Sequence, residues 1–389
     1  MEDKEINKNS VMKTFGTYKG DDVTILLKDV TDLVKPVGTE EKERMIQSGI
    51  HYSELLQKEW EPSSEYLRLF EEIMGSFSPV IAQLVATVST QIVKDKWENT
   101  VLVSLARAGT PIGILIKRYI KERWGFDVSH YTISIIRDKG IDKNAMDYIV
   151  NKHGEKWIQF VDGWTGKGTI KKQLNESLAK YYTETGHRIK PDLAVLSDPA
   201  RVADKWGTRE DVLIPNACLN ANISGGLSRT FLKDGIVGKN DFHGCAFYKD
   251  LKGSDYTYTF IDGVVKCFSK AKYITAKDGV TVCVYDGEKY LFDESVKELT
   301  PKEEIEKVCK EFSLPSDKYC KPSIGETTRV LLRRTPWKIL VNEKAGEESE
   351  ELRLLLELAK EKEIPVEQYP LQNYKAIGLI KVLHWQYWL

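Results

Sequence analysis

The sequence predicts an α/β protein, a parallel sheet flanked by helices, with a second, small α/β domain at the carboxyl end. Three observations carry that reading. Short apolar runs alternate with amphipathic stretches between residues 100 and 200, a polar or glycine-rich loop follows each run, and the alternation begins afresh beyond residue 300.

In chain order, residues 1–60 read as an accessory segment with a strand at Val23–Leu27, an apolar stretch Val30–Val37 and a charged helix from about Thr39. From Ser64 to Val93 the apolar positions Leu67, Phe70, Ile73 and Met74, then Ile81, Leu84, Val85 and Val88, recur at helical spacing. Ser78-Pro79 divides them into two helices. Three strand–loop–helix rounds follow. The first is Thr100–Leu105, Ala106–Pro111 and Ile112–Arg123, and the second Tyr131–Ile136, Arg137–Asp142 and Ala145–His153. The third is Trp157–Val161, Asp162–Thr169 and Ile170–Tyr182, and a fourth strand is expected at Leu193–Leu196. Strands spaced by helices of this length favour a parallel sheet, whose ligands sit at the carboxyl ends of the strands, where all these loops lie.

The main domain is placed at 61–299. Thr300-Pro301 caps a helix over Glu303–Phe312, Leu314–Gly325 reads as linker, and 326–389 forms the second domain. There the pattern gives strands Val330–Arg333, Trp337–Val341, Val366–Tyr369 and Ile377–Val382 around a helix Ser349–Glu361. The aromatic tail His384–Leu389 is read as packed on its own domain or as a contact surface.

Composition narrows the function classes. With 389 residues, 41% of them hydrophobic, the chain has material for a sizeable core. Its 57 basic and 58 acidic residues, net −1, create no global field toward nucleic acid or anionic membrane. The polar amino terminus carries neither a signal nor an organelle presequence, and no apolar run is read as bilayer-spanning, so a cytoplasmic protein without membrane partner is expected. Six widely spaced cysteines read as reduced thiols, and six histidines give no zinc motif.

The sharpest motif is Asp162-Gly163-Trp164-Thr165-Gly166-Lys167-Gly168-Thr169 between a strand and a helix. Its glycines allow close backbone approach, and its amides with the helix start favour an anion. Lys167, Thr165 and Thr169 add a charge and two hydroxyls, and Asp162 could accept from a sugar diol. The spacing is neither a nucleotide-triphosphate loop nor GxGxxG. Ala106, Arg107, Ala108, Gly109 and Thr110 suit a pyrophosphate, and Arg137, Asp138 and Lys139, with the hinge glycine Gly140, suit a lid that closes on charge.

These motifs carry a resemblance. The strand, acid and TGxGT-like loop resemble the phosphoribosyl pyrophosphate motif of type I phosphoribosyltransferases. More closely, GTYKGDDVTILLK, LVSLARAGTPIGILIKR, HYTISIIRDKGID, FVDGWTGKGTI and ISGGLSRT resemble a bacterial phosphoribosyltransferase-like family of tellurite-resistance-type stress operons. ETTRVLLRR and LLLELAKEKEIPVEQYPLQNYKAIGLIK resemble a Pelota-like RNA-binding domain, an α/β sandwich of ribosomal-protein type. The resemblance implies a transferase that joins phosphoribosyl pyrophosphate to a nitrogenous acceptor, or reverses that reaction, with magnesium. Arg107, Arg137 and Lys139 would stabilise the leaving group, and Asp162 would hold ribose and metal. Gly163 stands where these enzymes place a second acid.

Two rivals accompany this reading. One is a non-catalytic sugar-phosphate or nucleotide sensor. The other is a cysteine hydrolase, because Cys218 and Cys245 lie near His243 in sequence, although buried structural thiols account for them as well. Ser197–Arg201, Asn216–Arg229, Phe242–Cys245 and Asp262 are candidate pocket walls, and Arg329, Arg333, Arg334 and Lys338 form a local basic cluster suited to RNA. A homo-oligomer is compatible with the sequence.

Overall fold

The computed structural model describes residues 15–271, 280–285, 288–293, 295–344 and 349–382; the aromatic tail 384–389 lies outside the described residues. The α/β expectation holds. Six parallel strands form the main sheet: β1 (Thr24–Ile25), β2 (Val101–Leu105), β3 (Ser129–Ile133), β4 (Ile158–Val161), β5 (Leu193–Ser197) and β6 (Lys205–Thr208), in the order β1-β3-β2-β4-β5-β6. Every neighbouring pair is parallel, with Val101 opposite both Ser129 and Ile158. β2 and β5 are buried along their whole length, which explains why each is apolar but for one serine. β3 and β4 flank β2 on opposite sides, so the strand order reverses there and opens a crevice at their carboxyl ends.

The helices α1 (Ser64–Lys96), α2 (Gly109–Trp124), α3 (Lys143–His153) and α4 (Thr169–Thr185) cover the sheet. α1 begins where Ser63 Oγ accepts from Tyr66 N at 3.1 Å. It runs straight through Pro79, correcting the expected break. The apolar side chains around the proline, Phe77, Val80 and Ile81, are buried, and Ser78 Oγ donates to Met74 O at 2.7 Å within the interrupted turn. That burial outweighs a penalty of about 3 kcal/mol for an internal proline. α1 is also long and apolar enough to cross a bilayer, contrary to the sequence reading, but Ile81, Leu84, Val85, Val88 and Ile92 are fully buried inside the protein.

The carboxyl-terminal unit is a mixed sheet of β7 (Cys320–Pro322), β8 (Pro336–Asn342), β9 (Val366–Tyr369) and β10 (Ala376–Ile380), ordered β7-β10-β8-β9, with helices α5 (Ile324–Arg333) and α6 (Glu350–Glu361). Before it, the helix Pro301–Glu311 carries a full capping box between Thr300 and Glu303. Two expectations change here. The stretch read as linker contains β7, and Val330–Arg333, read as a strand, is the end of α5. Ser323 caps that helix at Glu326 N, and Ile324, Thr327, Thr328, Leu331 and Leu332 line its buried side at three- and four-residue steps. A run of three apolar residues cannot distinguish the two by period.

One hydrophobic cluster spans both units, joining Ile81, Leu84, Ile112 and Leu213 to Ile324, Leu331, Leu352 and Leu355. A second, containing Val103, Ile133, Ile149, Phe160 and Leu178, fills the opposite face of the main sheet. Asp211 ties the units together: its buried carboxylate accepts from Ile324 N at 2.9 Å and Lys375 N at 2.8 Å.

Candidate functional site: a cationic cleft between the two units

The carboxyl ends of β2, β3 and β4 open into a cleft of about 540 Å³, and α5 with the residues before it forms the facing wall. Its lining includes six arginines and five lysines against three acidic residues, an imbalance that favours an anion.

The loop after β2 supplies Ala106, Arg107 and Ala108. Ala106 N donates to Ile133 O at 2.8 Å, fixing the turn to β3. The Arg107 side chain is only 4% exposed, and its Nη1 donates to Glu59 Oε1 at 2.9 Å and to Leu227 O at 2.7 Å. Its Nε and Nη2 find no acceptor among the described residues. Gly109 lets this loop touch the next one: a Cβ there would stand 2.3 Å from Val161 O.

The glycine-rich loop follows β4. Gly163 N donates to Asp162 Oδ1 at 2.8 Å, Thr165 N to Ser197 O at 3.0 Å and Thr165 Oγ1 to Asp198 Oδ1 at 2.6 Å. Gly168, at φ +80°, turns the chain into α4. Burial pushes the Asp162 carboxyl up to about 7, against the opposing Gly163 amide and Arg329 charge. The second unit reaches into this loop, with Lys167 Nζ 2.8 Å from Asp317 Oδ2 and Tyr374 Oη donating to Gly166 O at 2.9 Å.

The Arg137–Asp142 segment is a pinned hairpin rather than a free lid. Ile135–Ile136 pairs with Gly140–Ile141, Arg137 N donates to Tyr52 Oη at 2.8 Å, and Asp138 N donates to Gln173 Oε1 at 2.7 Å. Asp142 is buried and caps α3 at Ala145 N.

Of the residues the sequence singled out, Ala106, Arg107, Ala108, Arg137, Asp162, Thr165, Gly166, Lys167, Gly168 and Thr169 line one cleft. Gly109, Thr110, Asp138, Lys139 and Gly163 do not line it. Of the wider candidate walls only Arg229 contributes, while Asp262 pairs elsewhere with Arg118 at 2.7 Å. Sequence reasoning missed the facing wall. Arg329, Arg333 and Arg334, read as an RNA patch, turn inward instead. Arg329 lies 4.1 Å over the Trp164 ring, Arg333 Nε donates to Asn220 Oδ1, and Arg334 forks onto Glu43 at 2.6 and 2.8 Å. Burial, then Arg229, Arg333 and Arg334, push Lys42 down to about 6; burial, then Lys167, push Lys321 down to about 7. As for the metal role expected of Asp162, no group of three metal-ligating side chains gathers among the described residues.

The thiols are withdrawn. Cys218 and Cys245 are buried, and burial pushes them up to about 12 and about 11. Cys245 Sγ donates to Ser228 O at 3.3 Å, and His243 Nδ1 pairs with Ser134 Oγ at 2.8 Å. Among the described residues no imidazole hydrogen-bonds a thiol.

A doubly covered parallel sheet, opening at its carboxyl edge into a cationic cleft that a small mixed-sheet unit closes, is the class of protein these features describe. Residues 16–265 match the family described as tellurite-like stress resistance cysteine protease StiP, and the chain belongs to that family. It is 36% identical over 381 residues to a protein of Acinetobacter baylyi named cysteine protease StiP, covering 95% of this chain and 94% of the relative. Residues 299–382 match the Pelota RNA-binding domain.

These matches uphold the stress-resistance and Pelota parts of the resemblance and overturn the enzymatic part. The expected phosphoribosyltransferase activity, with its transferase chemistry and phosphoribosyl pyrophosphate substrate, is corrected: family and relative are both named for a cysteine protease. A shared sheet and glycine loop do not fix a reaction. Here the loop carries no second acid, and its lysine and Gly166 carbonyl are taken by the second unit.

Proposed function

We propose that the protein is a cysteine hydrolase and that Cys245 is its thiol. The names borne by the family and by the relative support the reaction class. One observation carries the choice of residue: Cys245 stands directly behind the cleft wall. Arg107 Nη1 bonds Leu227 O while Cys245 Sγ bonds the next carbonyl, Ser228 O, and Arg229 and Thr230 beyond them line the cleft. The Arg107 charge favours the thiolate against the burial that opposes it. Attack by sulfur on a carbonyl carbon forms the S–C bond and expels the amine, which takes the thiol proton. Water then cleaves the thioester, releasing an acid and restoring the thiol.

Hydrolysis of denatured casein by the full chain tests this. Cys245→Ala is expected to lower the rate by at least about a hundredfold while Cys218→Ala leaves it near wild type. Full activity in Cys245→Ala removes the assignment.

RNA binding is a second reading, supported by the Pelota match over residues 299–382. Filter binding of labelled RNA should weaken steeply between about 50 and 200 mM salt as phosphate contacts are lost. Absence of retained RNA at the lower salt ends that reading.

A further inference from the structure

The cleft holds more buried positive charge than the protein itself satisfies. Besides Nε and Nη2 of Arg107, Nε of Arg329 and Nη2 of Arg333 are buried without an acceptor among the described residues. Buried polar groups in folded proteins are almost always paired, and unpaired guanidinium donors are the costliest exceptions. Each of these four atoms is itself buried, and Arg107 as a whole is only 6% exposed, so bulk water does not serve them. Neighbouring cations that need no ligand are already engaged: Arg334 with Glu43, Lys167 with Asp317 and Lys171 with Asp204. The unpaired donors come from both units, Arg107 at the end of β2 and Arg329 and Arg333 from α5.

We infer that this cleft is a built site for a compact phosphorylated ligand carrying more than one negative charge, completed only when the carboxyl-terminal unit presents Arg329 and Arg333 to Arg107. Guanidinium forks match phosphate oxygens in pairs, and a diphosphate offers acceptors on every side for donors that converge from opposite walls. A volume of about 540 Å³ admits a nucleotide-sized molecule and excludes a folded partner or a duplex. The Tyr52 ring, with Arg229 4.5 Å over it, adds a flat surface beside the charges. The inference does not rest on the hydrolase reading, because its test reads binding alone.

Inorganic pyrophosphate is the probe, titrated calorimetrically into the full chain at low salt and followed in parallel by thermal denaturation. The wild type is expected to bind and to gain several degrees in Tm. Arg333→Met and Arg329→Met are each expected to weaken binding at least tenfold and to abolish the ligand-induced rise. Each variant is compared with its own ligand-free Tm, because Arg329 also packs on Trp164 and pairs with Glu326, and Arg333 Nε also bonds Asn220. The ligand-induced shift, read on each folded variant, separates a binding site from a structural pair, and the two independent variants cover a failure of either to fold. Pyrophosphate without effect on wild-type Tm, or bound equally by both variants, overturns the inference. So does a cleft occupied only by RNA, seen as RNA affinity lost in Arg333→Met with no pyrophosphate binding in the wild type.

Discussion

Arg329 of α5 lies over Trp164 of the glycine-rich loop, its guanidinium carbon 4.1 Å from the ring centroid. One residue of the second unit thereby packs on the glycine-rich loop of the first, where Trp164 is only 7% exposed. The contact needs Gly325, where a Cβ would stand 2.7 Å from Trp164 Cε2.

Gly325→Ala should therefore push indole and helix apart. A destabilisation of about 1–3 kcal/mol, the usual cost of overpacking, is expected in urea unfolding, together with a red shift of the Trp164 fluorescence. Unchanged stability would mean that the loop yields freely.

Asp211 carries the heaviest polar load between the units, accepting from the amides of Ile324 and Lys375. Asp211→Ala leaves both amides unsatisfied in a buried place and should cost on the order of 3 kcal/mol. Limited proteolysis should then cut between the units. Resistance equal to wild type would show that apolar packing alone suffices.

The raised Asp162 carboxyl makes stability fall as pH rises. Its folded value of about 7 exceeds its unfolded one, so the folded state holds the proton more tightly between about pH 4 and 7. The penalty is complete above that window. Asp162→Asn, whose Oδ1 can still accept from Gly163 N, should match wild type near pH 4 and exceed it by about 1–3 kcal/mol at pH 8. Parallel stability curves for the two proteins across this range would refute the shift.

Burial that keeps Cys218 and Cys245 protonated predicts slow chemistry at rest. At pH 8 both should react with iodoacetamide at least about tenfold slower than free cysteine, and the Cys245 rate should keep climbing toward pH 11. Mass spectrometry of digested protein gives both rates. A fast, pH-independent rate at Cys245 would place its thiol in an open, activated setting.

How far these features were legible in the sequence depended on range. The rounds at Val101–Leu105 and Ile158–Val161 announced themselves because a doubly buried strand is mostly apolar and its loop is not, and Ser129–Ile133 followed from its place between helices. β6 did not, since Lys-Trp-Gly-Thr has no apolar run and pairs only because β5 offers an edge. The three loops of the cleft followed from the rule that parallel strands end on one side. The facing wall did not: charge alone cannot say whether Arg329 and Arg333 point to water or to a neighbour far away in the chain. The reaction was least legible, because the glycine loop constrains the backbone and not the bond that is broken.

The single oily seam that runs from Ile81 and Leu84 to Leu352 and Leu355 has a consequence for the life of the polypeptide. A nascent chain covers this side of the long helix α1 only once residues 324–355 have been made, so the first unit completes its packing together with the second. Cutting the gene at the junction would leave each half displaying a greasy face, a substrate for chaperones and proteases rather than a working fragment.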